Sequence, residues 1–494
     1  MKTYTILILL VLLAGCRGTP TPGEKEARRQ VQAVAGSYRP NGRKPELPVL
    51  TTQSSLSNFL AYALLNQPQV EAAYFEWLSS VERITVQRSL PDPQVTFQMD
   101  IQQVATSLMP GLMMSFPGMG KLRAAGAVAA AASQGGYFKF KSASLQSAYD
   151  VKRTYYRLYF LEEKIRVKRE NLGLLQELER LARSQNEVGK ATLQDVLRAQ
   201  IEQERLNNEI VNLDDSRAPL LAQWQAALGS EPNDPTPPVP ARFESTPLDV
   251  AVDKWLEQAL AENTRLKAME ADVHAAEAAI RLAYKARMPD TSVGFMADAK
   301  MSPVLYRPWG TVSLPLWRDK LAAQVAEAQA NKRAGEARLT AEQIGLAVDV
   351  AERAFVYRET TRNLNVLQKT LLPKQRQSLE VARSAYLAGQ VDFLNLTEAE
   401  QTLLRFNLDE VEARTQRELS LAELSLIMQG MPPSGGGATG MAISSSGIGA
   451  GKKMGGSTMG GGAPSGGMGS SGSTMLPGNS APPPKKTDQG GMSQ

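Results

Sequence analysis

Among its 494 residues the chain has one cysteine, Cys16, and one histidine, His274. That scarcity excludes a disulfide framework, a Cys/His zinc site and a Ser-His-Asp triad. Charge of one sign is also lacking: 55 Lys and Arg stand against 50 Asp and Glu, and the resulting +5 is too thin for a nucleic-acid footprint. No phosphate loop of the G-x-x-x-x-G-K-[ST] type is present, and no apolar run reaches 18 residues, so neither nucleotide hydrolysis nor a transmembrane helix is expected. Aromatic residues make up 6% and glycines number 39, a balance that suits long helices plus a flexible segment better than a compact enzyme. No convergent acid, base or metal cluster stands out, so no catalytic residue and no cofactor is expected. His274 sits among Ala and Glu in a helical stretch and reads as a surface residue.

The N-terminus carries an address. Lys2 precedes eight apolar residues, Ile6 to Leu13, too few to span a bilayer at about 20 residues but the size of a secretory core. Leu13-Ala14-Gly15-Cys16 then resembles a bacterial lipobox, in which the cysteine is acylated and becomes the first mature residue; an ordinary signal peptide with an incidental cysteine is the alternative. Arg17 in place of Asp favours, by the same resemblance, the outer membrane.

The middle of the chain repeats itself. "LPDPQVTFQMD" at 90–100 realigns with "MPDTSVGFMAD" at 288–298 under a shift of 198, and the same shift carries Ser115 and Pro117 onto Ser313 and Pro315. A shift of 200 maps Ser184, Gly189, Ala199, Arg205, Asn207 and Val211 onto Ser384, Gly389, Ala399, Arg405, Asn407 and Val411. The expected divisions are a signal peptide over 1–15, an anchored segment over 16–50, repeats over 51–229 and 249–430, a Pro-rich linker over 230–248, and a Gly/Ser/Met-rich tail over 431–494.

Within each copy, 56–90 and 250–288 read as helices that end at Pro91 and Pro289. In 95–102 apolar Val95, Phe97, Met99 and Ile101 alternate with polar Thr96, Gln98, Asp100 and Gln102, the period of a strand with one greasy and one wet face. Pro110-Gly111 reads as a breaker before a return strand, and 293–300 and 309–316 repeat the arrangement more weakly. Residues 118–218 then lack proline, with Val151, Leu158, Ile165 and Leu172 at heptad spacing, as are Val350, Tyr357, Leu364 and Leu371. From Met119 to Val188 this predicts about 105 Å of helix at 1.5 Å per residue, deeper than a globular domain. Gly189 and Gly389 suit left-handed helix stops, and Thr192 and Asp392 suit the caps that follow, making two hairpin tips.

Strands with a lipid-facing side require a closed barrel, and four cannot close one. Three copies supply twelve strands around a polar lumen, continued by helices.

At this point the residues resemble a known family. The doubled unit, "LPDP" before a strand, "SFPGMGKL" and "SLPLWRDKL" after strands, and the tips "VGKATLQDVLRAQ" and "AGQVDFLNLTEAE" look like the TolC-type outer-membrane efflux channels over about 51–430, and within them most like channels of heavy-metal efflux systems. The resemblance implies a mostly α protomer with a small β part. It implies a homotrimer with a 12-stranded transmembrane β-barrel and a periplasmic α-helical barrel in the outer membrane. Its partners would be a periplasmic adaptor and an inner-membrane pump of the resistance-nodulation-division (RND) type. Asn395 and Glu398 match two acidic aperture positions of the family, with Asn395 departing from the pattern, and Tyr386 matches a tip tyrosine involved in closure. Asp392, Asn395 and Glu398 share a helix face by their spacing, although Asp392 as a cap and Glu398 as a solvated residue is an equal reading. Gly189, Thr192, Leu193, Asp195, Gly389 and Phe393 are the candidate docking residues of the tips. The tail is expected to be disordered. It carries seven methionines, of which Met454, Met459, Met468 and Met475 are candidate thioether ligands for Cu(I) or Ag(I), unless methionine is simply abundant in this chain. The cargo stays open between metal ions, drugs and secreted protein, and a coiled-coil scaffold or adaptor lipoprotein is the competing class.

Overall fold

The computed structural model describes residues 20–101, 105–240, 243–245, 254–298 and 303–429. All of these belong to one compact unit. Cys16 and the tail methionines lie outside the described residues. No helix among the described residues is long and apolar enough to cross a membrane.

Helix α1 (Pro22–Tyr38) starts at Thr21, whose hydroxyl accepts from the Glu24 N–H at 3.3 Å. The stretch expected as one helix from 56 to 90 is two, α2 (Leu56–Asn66) and α3 (Pro68–Arg88), because proline removes an N–H and restricts the residue before it, so Gln67 turns to extended backbone. Its counterpart in the second copy also breaks, into α7 (Trp255–Glu262) and α8 (Thr264–Lys285), where the Asn263 side chain accepts from Arg265 and Leu266 N–H.

Strands β1 (Gln94–Ile101), β2 (Ala105–Phe116), β3 (Asp290–Asp298) and β4 (Leu305–Ser313) form one antiparallel sheet in chain order. Pro110-Gly111 is no breaker: β2 runs through it, with Pro110 opposite Phe97, and the ladder to β3 stops at Gly111–Met296, so a missing N–H costs nothing on that side. β3 and β4 start three and four residues earlier than the weak alternation at 293–300 and 309–316 suggested. Register places Val95, Phe97, Met99, Leu108, Leu112, Met114, Phe116, Val293, Phe295, Tyr306 and Val312 on one face, which is mainly apolar, with Thr291 its polar exception between Phe116 and Val312.

The motif "SFPGMGKL" turns the sheet into the helices. A Cβ on Gly118 would lie 2.7 Å from the Pro289 carbonyl, so only glycine fits, and the Gly118 N–H and Lys121 Nζ both donate to Asp290 Oδ1 at 2.6 and 2.7 Å. Helix α4 (Lys121–Glu187) follows, 67 residues and thus about 100 Å long. It turns back through α5 (Leu193–Asp215) and the short α6 (Arg217–Ala227). The second copy runs as α9 (Arg318–Val366), a π turn (Leu367–Leu371), α10 (Leu372–Leu387) and α11 (Phe393–Gln429). In the π turn the Leu372 N–H bonds the Leu367 carbonyl five residues back, and Pro373 follows at once.

Among its described residues, the Pro-rich stretch after α6 forms no helix, as its prolines dictate, and it is bound at several points. Trp224 Nε1 donates to Pro238 O at 3.3 Å, the Glu244 N–H to Tyr155 Oη at 2.8 Å, and the Leu56 N–H to Glu244 Oε2 at 3.0 Å. Under this strap lies the main core, built on Phe59, Tyr155, Tyr156, Phe160, Trp224 and Leu228. A second core clamps α1 against α3 and α4 through Tyr38, Tyr74, Trp77 and Phe140.

Candidate functional site: hairpin tips and the strand lumen face

Both tips turn as the glycines require, with φ of 72° at Gly189 and 71° at Gly389. Neither has an atom within 4 Å of the missing Cβ, so backbone conformation rather than crowding selects glycine there. Thr192 caps α5 in a full capping box: the Asp195 N–H donates to Thr192 Oγ1 at 3.3 Å, and the Thr192 N–H to Asp195 Oδ2 at 3.0 Å. At the second tip the Asn395 N–H donates to the backbone carbonyl of Asp392 at 3.1 Å.

One cluster joins the two tips: Leu178, Ala182, Val196 and Ala199 of the first hairpin meet Tyr386, Phe393 and Leu396 of the second. Tyr386 stacks edge-on against Phe393 with ring centroids 5.5 Å apart. Its buried hydroxyl has no hydrogen-bond partner, and burial, then the nearby Asp195 carboxylate, pushes its pKa up. Phe393 is therefore corrected from a docking residue to an internal one, at 2% exposure, whereas Leu193 at the same repeat position is 63% exposed. The reason is that Phe393 packs on Tyr386 in the joint between the hairpins, whereas Leu193 lies outside that cluster.

Asp392, just before α11, and Asn395 and Glu398 on it are all exposed, the latter two on the side of α11 opposite that cluster. The structure thus brings Tyr386 to the joint between hairpins and leaves the three polar residues facing out of the protomer.

Sequence reasoning missed several buried carboxylates, Glu400 and Glu24 the most buried of them. Glu400, 1% exposed, is held between hairpins by a hydrogen bond from the Asn171 side chain. Burial pushes its pKa up to about 7; the Asn171 bond opposes this and Glu202 reinforces it. Glu24, also 1% exposed, accepts from Arg88, from Thr85 Oγ1 at 2.8 Å and from Arg28 Nε at 3.3 Å. Burial alone would raise its pKa, but the three donors overcome this and hold it at about 2. Only the capping position of Glu24 three residues after Thr21 signalled any order there. His274 is exposed, with Nδ1 3.5 Å from Glu277. No group of three His, Cys, Asp or Glu able to hold a metal occurs among the described residues.

On the sheet face opposite the apolar one lie Gln94, Thr96, Gln98, Asp100, Ser107, Ser115, Ser292, Asp298, Arg307, Thr311 and Ser313. Ser107 Oγ donates to Asp100 Oδ2 at 2.8 Å, and the Ser115 and Ser292 hydroxyls meet at 3.1 Å. A sheet apolar on one side and hydroxylic on the other, continued by two antiparallel hairpins far too long for a globular core, defines a protomer of a tubular membrane channel.

The outer membrane efflux protein family matches residues 59–230 and 255–429, and the chain belongs to that family. Its members are trimeric channels that work with adaptors and inner-membrane pumps. No curated protein matches the chain by sequence. Among solved structures it resembles the outer membrane protein VceC from Vibrio cholerae, at 16% identity and a TM-score of 0.63 over 76% of this chain and 96% of that one. CusC matches at 15% identity and a TM-score of 0.65, over 79% of this chain and 98% of that one. The open state of the Neisseria gonorrhoeae MtrE channel matches at 16% and 0.63, over 78% and 97%. At such identities the shared property is the fold, mostly helical with a few antiparallel strands and a tandem repeat.

Proposed function

We infer that three copies of this chain close a 12-stranded outer-membrane barrel whose helices continue into the periplasm, forming a passive export duct driven by an RND-type inner-membrane pump through a periplasmic adaptor. The observation that carries this reading is the amphipathic sheet: in one chain β1 and β4 are open edges, which hydrocarbon does not tolerate. Purified in detergent, the protein should run as a trimer and carry ion current in a planar bilayer; a monodisperse, water-soluble monomer without detergent would instead support a scaffold. Cys16 anchors the N-terminus by acylation. Mass spectrometry finding an unmodified Cys16 in mature protein would remove that part.

In this duct Asp392, Asn395 and Glu398 ring the aperture, with Tyr386 beneath them, while Gly189, Thr192, Leu193, Asp195 and Gly389 meet the adaptor. The cargo we favour is Cu(I) or Ag(I). CusC-like and other channels share the fold, so the support for metal is the narrower motif match, and drug efflux or protein secretion is the alternative. Met454, Met459, Met468 and Met475 would offer capture sites in the tail. Unchanged silver and copper tolerance after deletion of 434–494, in cells that depend on this channel, would dismiss them.

A further inference from the structure

The lumen face of the sheet is hydroxylic and charged apart from five apolar side chains, Met109, Met113, Met296, Leu305 and Trp309. Three of the five are methionine, and they are adjacent. Gly111 stands opposite Met296 in the β2–β3 ladder, with Met109 and Met113 two residues to either side of it on the same face. Met296 is therefore the diagonal neighbour of both, at the roughly 7–8 Å backbone spacing that flexible side chains bridge. Room is made for it: a Cβ at Gly111 would lie 2.4 Å from Met296 Cγ, so the Met296 side chain lies across the glycine between the other two methionines. Met109 is 2% exposed.

Hydrophobicity does not account for this choice. Met109 is buried, but Met113 and Met296 are only half-buried on a face otherwise hydroxylic and charged, where an apolar side chain gains little, and the lipid face of the same sheet uses Val, Leu and Phe beside Met. What methionine has and those residues lack is a soft thioether, the donor that Cu(I) and Ag(I) prefer over oxygen and that Na⁺, K⁺ and Mg²⁺ do not. Neutral thioethers also leave the ion free of a strong charge trap, which a conducting path needs.

We propose that Met109, Met296 and Met113 form a thioether ladder in the barrel lumen, two overlapping two-sulfur stations for a soft monovalent metal cation with Met296 common to both. The charges around it differ at its two ends. Asp298 follows two residues after Met296 on this face and favours a cation at the Met109 station, whereas Arg307 stands opposite Met296 and disfavours prolonged residence. In a trimer three such ladders line one lumen. The proposal rests on the duct reading, and the test separates the two.

The full-length protein, labelled at the methionine methyls and purified in detergent, is titrated with Ag(I) and followed by NMR, while its conductance is measured in a bilayer. The Met109, Met113 and Met296 methyls should shift together, while those of Met99 and Met114 on the lipid face stay put. Met296→Leu, nearly equal in volume, should abolish the shifts at both Met109 and Met113. Met113→Leu should silence one station and leave the Met109 shift. Current without any silver-induced shift at the three lumen methyls overturns the ladder and leaves the duct standing, as do shifts at Met109 and Met113 that survive Met296→Leu. Absence of current overturns the duct itself.

Discussion

The two repeats place similar residues at equivalent positions and bury them differently. Leu145, Tyr149 and Tyr156 of α4 lie in or against the main core. Their counterparts on α9, Ile344, Val348 and Phe355, are exposed. Neighbours, not residue type, make the difference: α4 contacts α1, α2, α3, α5, α6, α8 and α11, whereas α9 meets chiefly α7, α8 and α11. The first repeat is flanked on both sides by its own chain, and the second has a bare flank. A helix that exposes an apolar stripe of this kind is half of an interface, and in a closed ring of repeats the next copy supplies what α8 and α11 supply to α4.

The largest expected effect strikes that flank. Val348→Asp with Phe355→Asp should abolish trimer formation, as read by analytical ultracentrifugation, while circular dichroism keeps its helical signal, because both side chains are exposed in the protomer. A trimer that survives both charges would mean that the stripe faces no copy.

Position 393 sharpens the comparison. Phe393→Ala removes a buried ring and should cost about 3–5 kcal/mol, read as lost hydrogen-exchange protection at the second tip. Leu193→Ala, at the equivalent but exposed position, should cost under about 0.5 kcal/mol. Equal costs would contradict the different burial of the two positions.

Position 400 tests it by pH. The first repeat carries Gln200 where the second carries Glu400, so Glu400→Gln makes the two alike. The folded pKa of Glu400 is about 7 against 4.5 unfolded, so its cost is absent below pH 4.5 and grows as pH rises through 7. The variant should therefore gain up to roughly 3 kcal/mol at pH 8 and nothing at pH 4. Glu24 runs the other way: its stabilising contribution is full above pH 4.5 and disappears as pH falls through about 2. Its receptors Thr85 and Arg88 correspond to Ala283 and Ala286 in the second repeat, so the clip exists once per chain. Limited proteolysis of Glu24→Gln at pH 7 should free α1 and leave both hairpins intact.

The smallest effect is a matched pair. Gly189→Ala and Gly389→Ala each force a left-handed alanine into open space and should each cost roughly 1 kcal/mol, the same in both repeats.

The tandem repeat, the two-faced strands, the hundred-ångström helix and the tip glycines were legible because each is a local pattern: a shift, a period of two, a heptad, a left-handed stop. Phe393, Glu400 and Glu24 were not. The sequence around Glu400, "LTEAEQT", has the composition of a solvated helix face, and its burial comes from Asn171, 229 residues away on another hairpin. Pro110 misled for the opposite reason, since a local breaker signal yields where the ladder leaves no bond to break. Met296 and its neighbours became a group only once register was known.

The π turn at Leu367–Leu371 has an angular meaning. The offset between repeats is 199 at Val151 and Val350 and 200 at Ser184 and Ser384, so the second hairpin holds one residue more than the first between heptad seam and tip. In a regular α-helix that residue would turn everything beyond it by about 100° and displace it by about 1.5 Å. Tyr386 would then point away from the first hairpin. A single wide turn, closed by the bond from Leu372 to Leu367, swallows the extra residue and restores the phase of the helix, and it does so where Pro373 would break a narrower turn anyway. The two tips thus stay level and in register although the arms that carry them differ in length.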